Sequence, residues 1–133
     1  MTVIDHAPKT DSLLRLAMRA DAVLSGLAGI IGVPLAGWLA EASGTTVGFE
    51  RATAVFFIAF SAVVLALSTL ESVKVSGMAL IIGNVLFTVG AVALVVAGVF
   101  PLTTLGVAMV LGTGVYTLAM AELQYVGWRR ANA

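Results

Sequence analysis

Cysteine is absent from this chain, which excludes disulfides, thiolate metal sites, iron–sulfur clusters and cysteine nucleophiles. Histidine occurs once, as His6 in a polar N-terminal stretch. No apolar segment can therefore supply an axial imidazole to a haem, and no Glu-x-x-His pattern marks a di-metal carboxylate site. A Gly-rich phosphate loop beside a Lys and a Ser–His pair are missing as well. We expect no cofactor, no metal and no enzyme. Charge is scarce too: seven basic and seven acidic residues in 133, with no net charge. That balance gives no reason to expect a polyanionic partner such as nucleic acid.

Apolar residues fill the space that charge leaves. They make up 60 % of the chain, and mean hydropathy is +1.09. A soluble domain carries about 45–50 % apolar and about 25 % charged residues and could not cover this much apolar surface. Four uncharged runs appear between the charged residues: Ala22–Ala40, Ala52–Leu70, Gly77–Phe100 and Leu102–Ala121. At about 1.5 Å per residue, each covers a hydrocarbon core of about 30 Å as a helix. The runs are apolar on both parities, unlike the alternating strands of a membrane barrel.

Residues 41–51 have loop composition, residues 71–76 form a short polar turn, and Pro101 parts the last two runs. Short loops make neighbours antiparallel. The expected fold is thus an all-α, four-helix up-down bundle, one transmembrane domain over residues 1–133, preceded by a cytoplasmic tail at 1–21. Within that tail, Thr10-Asp11-Ser12 opens a short amphipathic stretch, read as an interfacial helix or the lower end of the first span. Ala40-Glu41-Ala42 has the form of a signal-peptidase site. The apolar run before it exceeds the roughly 7–15 residues of a signal core, so it is expected to stay as a span.

Orientation follows from the basic residues. With four spans, Lys9, Arg15, Arg19, Lys74, Arg129 and Arg130 share one side and only Arg51 lies on the other. Both termini are therefore expected in the cytoplasm, in a bacterial plasma membrane. Trp38 and Phe49 fall at the outer boundary, and Tyr125 and Trp128 at the inner one, as aromatic belts do.

Three groups of residues could carry function. In the first span, Ser25, Gly26, Gly29, Gly32 and Ala36 recur at three- and four-residue steps around Pro34. Small residues at that spacing let helices approach closely, and Pro34 should kink the helix. Reflecting positions about the turns puts Ser61, Asn84 and Tyr116 at one depth, with Gly29–Ile30 beside them. This polar level is either interhelical glue or a small pocket. At the cytoplasmic rim, Asp21 and Glu122 are expected to pair with Arg19, Arg129 and Arg130, and Glu122 and Gln124 with Tyr125 to meet a partner or lipid head group.

Arg19-Ala20-Asp21-Ala22 with Leu24-Ser25-Gly26, Asn84, and Ala121-Glu122-Leu123-Gln124 with Gly127 and Arg129-Arg130 resemble segments of small four-helix integral membrane proteins of unknown function common in high-GC Gram-positive bacteria. The resemblance implies a plasma-membrane address and four spans, and no activity. Small multidrug transporters are of similar length but carry a Glu midway along the first span, where this chain has only Ala, Gly, Ile, Leu, Val and Pro.

The small-residue faces favour a structural or accessory subunit, bound to membrane lipids and packed as a homo-oligomer or within a larger membrane complex. The alternative is a small transporter or channel for an apolar or weakly polar solute, with its site near Asn84. The orientation is checked with single cysteines. One at Thr46 should label with an impermeant thiol reagent on intact cells, and one at Asn132 only after permeabilisation; the reverse pattern overturns the topology.

Overall fold

A computed structural model describes residues 10–132, so His6 and Lys9 lie outside the described residues. Four helices follow in order: α1 Ser12–Ser43, α2 Val47–Leu67, α3 Lys74–Val96 and α4 Thr104–Ala131. All four are long and apolar enough to cross a membrane, and no strand occurs among the described residues. Residues 12–21 form no separate interfacial helix; they are the first turns of α1, which runs unbroken through Pro34. α4 likewise continues ten residues beyond Ala121. Charged residues ended the apolar runs, but they do not end these helices, because Arg and Glu are good helix formers.

α1 organises the bundle. Its buried residues recur at steps of one, three or four from Leu14 to Ser43, the stripe of a helix that packs along its whole length. It packs against α2 and α4, and α4 packs against α3. α2 and α3, joined by a turn, share no extended backbone interface. Phe56 and Phe57 of α2 instead reach Phe87 of α3, at ring separations of 6.5 and 5.9 Å.

The two ends are held differently. At the end carrying both termini, Leu14, Met18, Ala22, Val64, Val73 and Leu80 make a buried core backed by Phe60, Leu67 and Trp128. Arg15 there donates to the carbonyls of Ser68 (3.0 Å), Leu70 and Glu71 (2.7 Å). Arg19 donates to the Ser68 hydroxyl and carbonyl, both at 3.2 Å. The last carbonyls of a helix lack intrahelical donors and carry partial negative charge. Two guanidinium groups from α1 thus close the end of α2. Arg15 also pairs with Asp11 at 2.8 Å.

At the opposite end, Gly44 terminates α1 with φ 79°, and its N–H bonds the Ala40 carbonyl at 2.9 Å, a left-handed cap that suits glycine. Thr103 caps α4 and donates from its hydroxyl to the Ala42 carbonyl at 2.6 Å. Phe49 and Phe100 pack in a tilted pair nearby, with ring centroids 4.8 Å apart.

Close approach uses specific glycines. A Cβ on Gly29 would lie 2.5 Å from the Ala54 carbonyl oxygen, and one on Gly106 would lie 2.0 Å from that of Ser43. Gly83 of α3 faces open space. Gly29→Ala and Gly106→Ala should each destabilise the bundle by about 1–3 kcal/mol or more, because backbone must move. Gly83→Ala should be neutral, or stabilising by roughly 0.5–1 kcal/mol. Unfolding midpoints in detergent check this; equal midpoints for all three variants would refute the packing account.

Candidate functional site

Helical periodicity decides what α1 places inside. Arg19 and Asp21 are two residues apart, about 200° around a helix. Arg19 faces the end of α2, so Asp21 faces α3 and α4. It is 1 % exposed. The same logic on α4 turns Glu122 outward and Gln124, fully buried, inward.

Four side chains converge on the Asp21 carboxylate. Oδ1 accepts from the Tyr116 hydroxyl at 2.8 Å and the Ser25 hydroxyl at 3.3 Å. Oδ2 accepts from Asn84 Nδ2 and Gln124 Nε2, both at 2.9 Å. Asn84 Nδ2 also donates to Gln124 Oε1 at 3.0 Å, joining the two amides. Every donor is neutral. Removing a carboxylate from water costs several kcal/mol in a protein, and hydrogen bonds to a charged group return about 1.5–3 kcal/mol each. The cluster meets that cost by donor number rather than by an opposite charge.

The polar chain continues one turn further. Thr88 Oγ1 lies 2.9 Å from the Gly114 carbonyl oxygen and 2.7 Å from the Thr117 hydroxyl, joining α3 to α4. Directly beyond it lies a cavity of about 650 Å³ at the loop end, where α2 and α3 part. Phe49, Phe56 and Phe57 line its α2 side, with Glu50 and Thr45 among its polar residues. The Thr45 hydroxyl donates to the Glu50 carboxylate. On the other helices the lining residues nearest the cluster are Ala28, Phe87 and Thr113. Each is three residues, about 4.5 Å of helix rise, from Ser25, Asn84 and Tyr116 respectively. The cavity floor and the carboxylate cluster are thus adjacent layers. Below the cluster, the Leu14–Met18 core packs the terminal end.

Of the polar level read from the sequence, the structure brings Asn84 and Tyr116 together, through Asp21. Ser61 lies near that depth but outside the cluster: its hydroxyl lies against Gly26 of α1, the neighbour of Ser25. Asp21 and Ser25 take the place expected for Gly29–Ile30. Reflection about turn centres takes no account of the axial offset between helices, and α1 sits offset from the depth it assigns. Asp21 is likewise not at a rim with Arg19, Arg129 and Arg130; Arg19 is engaged by Ser68, and Arg129, Arg130 and Glu122 are exposed. Gly26, Gly29 and Gly32 face Ser61, Ala54 and Ile58 of α2, Ala36 is buried, and Pro34 is exposed. An earlier signal for the cluster was available: Asp21 and Gln124 each stand on the buried face of a helix whose charged neighbours two residues away stand on the other.

No family model matches this chain, and no curated protein or solved structure matches it either.

Asn84→Leu should cost about 1–3 kcal/mol, since it strips a donor from a buried carboxylate and from Gln124. Combined with Asp21→Leu, the loss should be smaller than the sum by at least about 0.5 kcal/mol, because both residues belong to one network. Chemical unfolding in detergent measures the cycle; strict additivity would dissolve the cluster as a unit.

Proposed function

We propose that this chain is an integral membrane protein that passes or carries a small, apolar or weakly polar solute through the cavity at its loop end, with the Asp21 cluster as the polar end of the site. It acts without covalent chemistry, in a bacterial plasma membrane, with both termini cytoplasmic as the basic residues favour. One observation carries the reading: a carboxylate held only by neutral donors lies one layer beneath an apolar cavity. Ionisable groups at membrane depth are costly and are retained where they act. Asp21 lies about 10 Å of helix rise from the midpoint of α1, inside a centred hydrocarbon slab of about 30 Å.

The mode of action follows from the layers. A solute entering where α2 and α3 part meets Phe56, Phe57 and Phe87 first. Its apolar body stays in the cavity, while a hydroxyl, amide or amine reaches the floor. There it can take the place of Ser25, the longest of the four hydrogen bonds to Asp21, or draw Tyr116 away. Such exchange leaves the carboxylate satisfied while the helices α1 and α4 shift relative to each other. The packed Leu14–Met18 core is the barrier that this shift would open.

An accessory-subunit reading rested on small-residue faces free for partners. Gly26, Gly29 and Gly32 are occupied by α2 of the same chain, which weakens that support. Asp21→Asn separates the two readings. Across a panel of small apolar and weakly polar solutes, the wild type should show solute-induced thermal stabilisation or uptake into proteoliposomes. Asp21→Asn should keep its helix content and lose at least tenfold in that response, because a site built to hydrogen-bond its ligand loses discrimination when the group is changed. No response from either protein, or an undiminished one from the variant, sinks the solute reading.

A further inference from the structure

Outside the cluster and its cavity, the densest collection of unused charge lies at the terminal end, where α3 begins and α4 ends. Lys74, Arg129 and Arg130 border a recess of about 810 Å³ together with Tyr125, Trp128 and Asn132. Among the described residues none of these three cations pairs with a carboxylate. Arg15 and Arg19, by contrast, are committed to Asp11 and to the end of α2. Lys74 stands in the first turn of α3, the helix end that repels a cation. An anion beside it would be favoured there.

The aromatic side of the recess is built rather than loose. Trp128 Nε1 donates to the Lys74 carbonyl at 2.9 Å, so the indole ties α4 to the start of α3. Tyr125 and Trp128 stack with ring centroids 6.5 Å apart and planes 12° apart. The Arg129 guanidinium lies 5.8 Å from the Tyr125 centroid, and its Nη1 donates to the tyrosine hydroxyl at 3.3 Å. This holds one cation against a ring face.

Exposed apolar surface adjoins the charge. Val75, next to Lys74, is 81 % exposed, and Val126, which also lines the recess, is 44 % exposed. A free anion has no use for that surface, whereas a molecule with an anionic head and an apolar body would cover both. We infer that the recess formed by Lys74, Tyr125, Trp128, Arg129 and Arg130 is a binding site for an anionic phospholipid, its phosphate among the three cations and its acyl chains along Val75 and Val126. The aromatic pair stands at the level of the glycerol backbone, where amphipathic rings favour the membrane boundary. The site rests on the membrane reading but not on any solute.

The test uses the full chain in detergent, titrated with phosphatidylglycerol, with phosphatidylcholine, and with inorganic phosphate, read by thermal midpoint and by lipid adducts in native mass spectrometry. Phosphatidylglycerol should raise the midpoint and remain bound, and the other two should not. Each basic residue near a membrane surface contributes about 1 kcal/mol toward anionic lipid, or about fivefold in affinity. Lys74→Gln, Arg129→Gln and Arg130→Gln should each weaken binding about fivefold, and the triple variant on the order of a hundredfold. Arg51→Gln, at the opposite end, should leave it unchanged. If the triple variant loses helix content, the single variants decide. Equal binding of the two lipids, unchanged affinity in the single variants, or competition by millimolar phosphate would overturn the proposal. Carbonate extraction of membranes distinguishes these failures from failure of the membrane reading, since a peripheral protein would be released.

Discussion

A carboxylate cannot be enclosed by apolar helices until donors surround it. Asp21 meets that condition with Tyr116 and Gln124 from α4, Asn84 from α3 and Ser25 from its own helix. The requirement fixes the rotation of three helices at once. α1 must turn Asp21 inward, which sends Arg19 toward α2; α4 must turn Gln124 inward, which sends Glu122 to the outside. A rotation of either helix by one residue would bury a charge without partners, a loss of several kcal/mol. Register in this bundle is therefore set by polar satisfaction as much as by apolar packing.

α2 takes no part in that network and is attached by other means. Glycines 26, 29 and 32 let it lie close along α1, and Arg15 and Arg19 close its last turn. Its only buried residues are Ala54 and Val64. Three helices thus form a polar-centred core, and the fourth leans on one of them. The cavity arises where α2 parts from α3, and rings from Phe56, Phe57 and Phe87 bridge the two helices. α2 is thus held firmly along α1 and only its other flank is open to the cavity.

The molecule is also divided along its length. Large side chains such as Leu14, Met18 and Leu80 fill the terminal half, while small residues such as Ala28, Gly90 and Ala91 line the open half. Dense packing is rigid and excludes water; an under-filled region lacks those contacts and can accept a guest. The Asp21 layer lies at the boundary between the two. Lys74, Arg129 and Arg130 collect at the terminal end beside the stacked rings of Tyr125 and Trp128.

Much of this was legible without coordinates. Four uncharged runs of sufficient length dictated four helices, because backbone groups in an apolar setting must bond within their own segment. The short connections dictated antiparallel neighbours, and Gly26, Gly29 and Gly32 marked a face of close approach. Helix ends were less legible, since residues 12–21 and 122–131 carry charge yet remain helical. The site was legible in its parts and not in its assembly. Asn84 and Tyr116 stood out as polar groups inside apolar runs, but Asp21 and Gln124 lay just outside those runs and looked like rim residues. Ser61, equally polar and equally internal, went to a glycine on α1 instead. Hydropathy reports how long a helix can be and where its apolar residues fall. Which of two residues a few positions apart faces inward depends on rotation and on axial offset between helices, and those were decided only when Arg19 met the end of α2 and four neutral donors met Asp21.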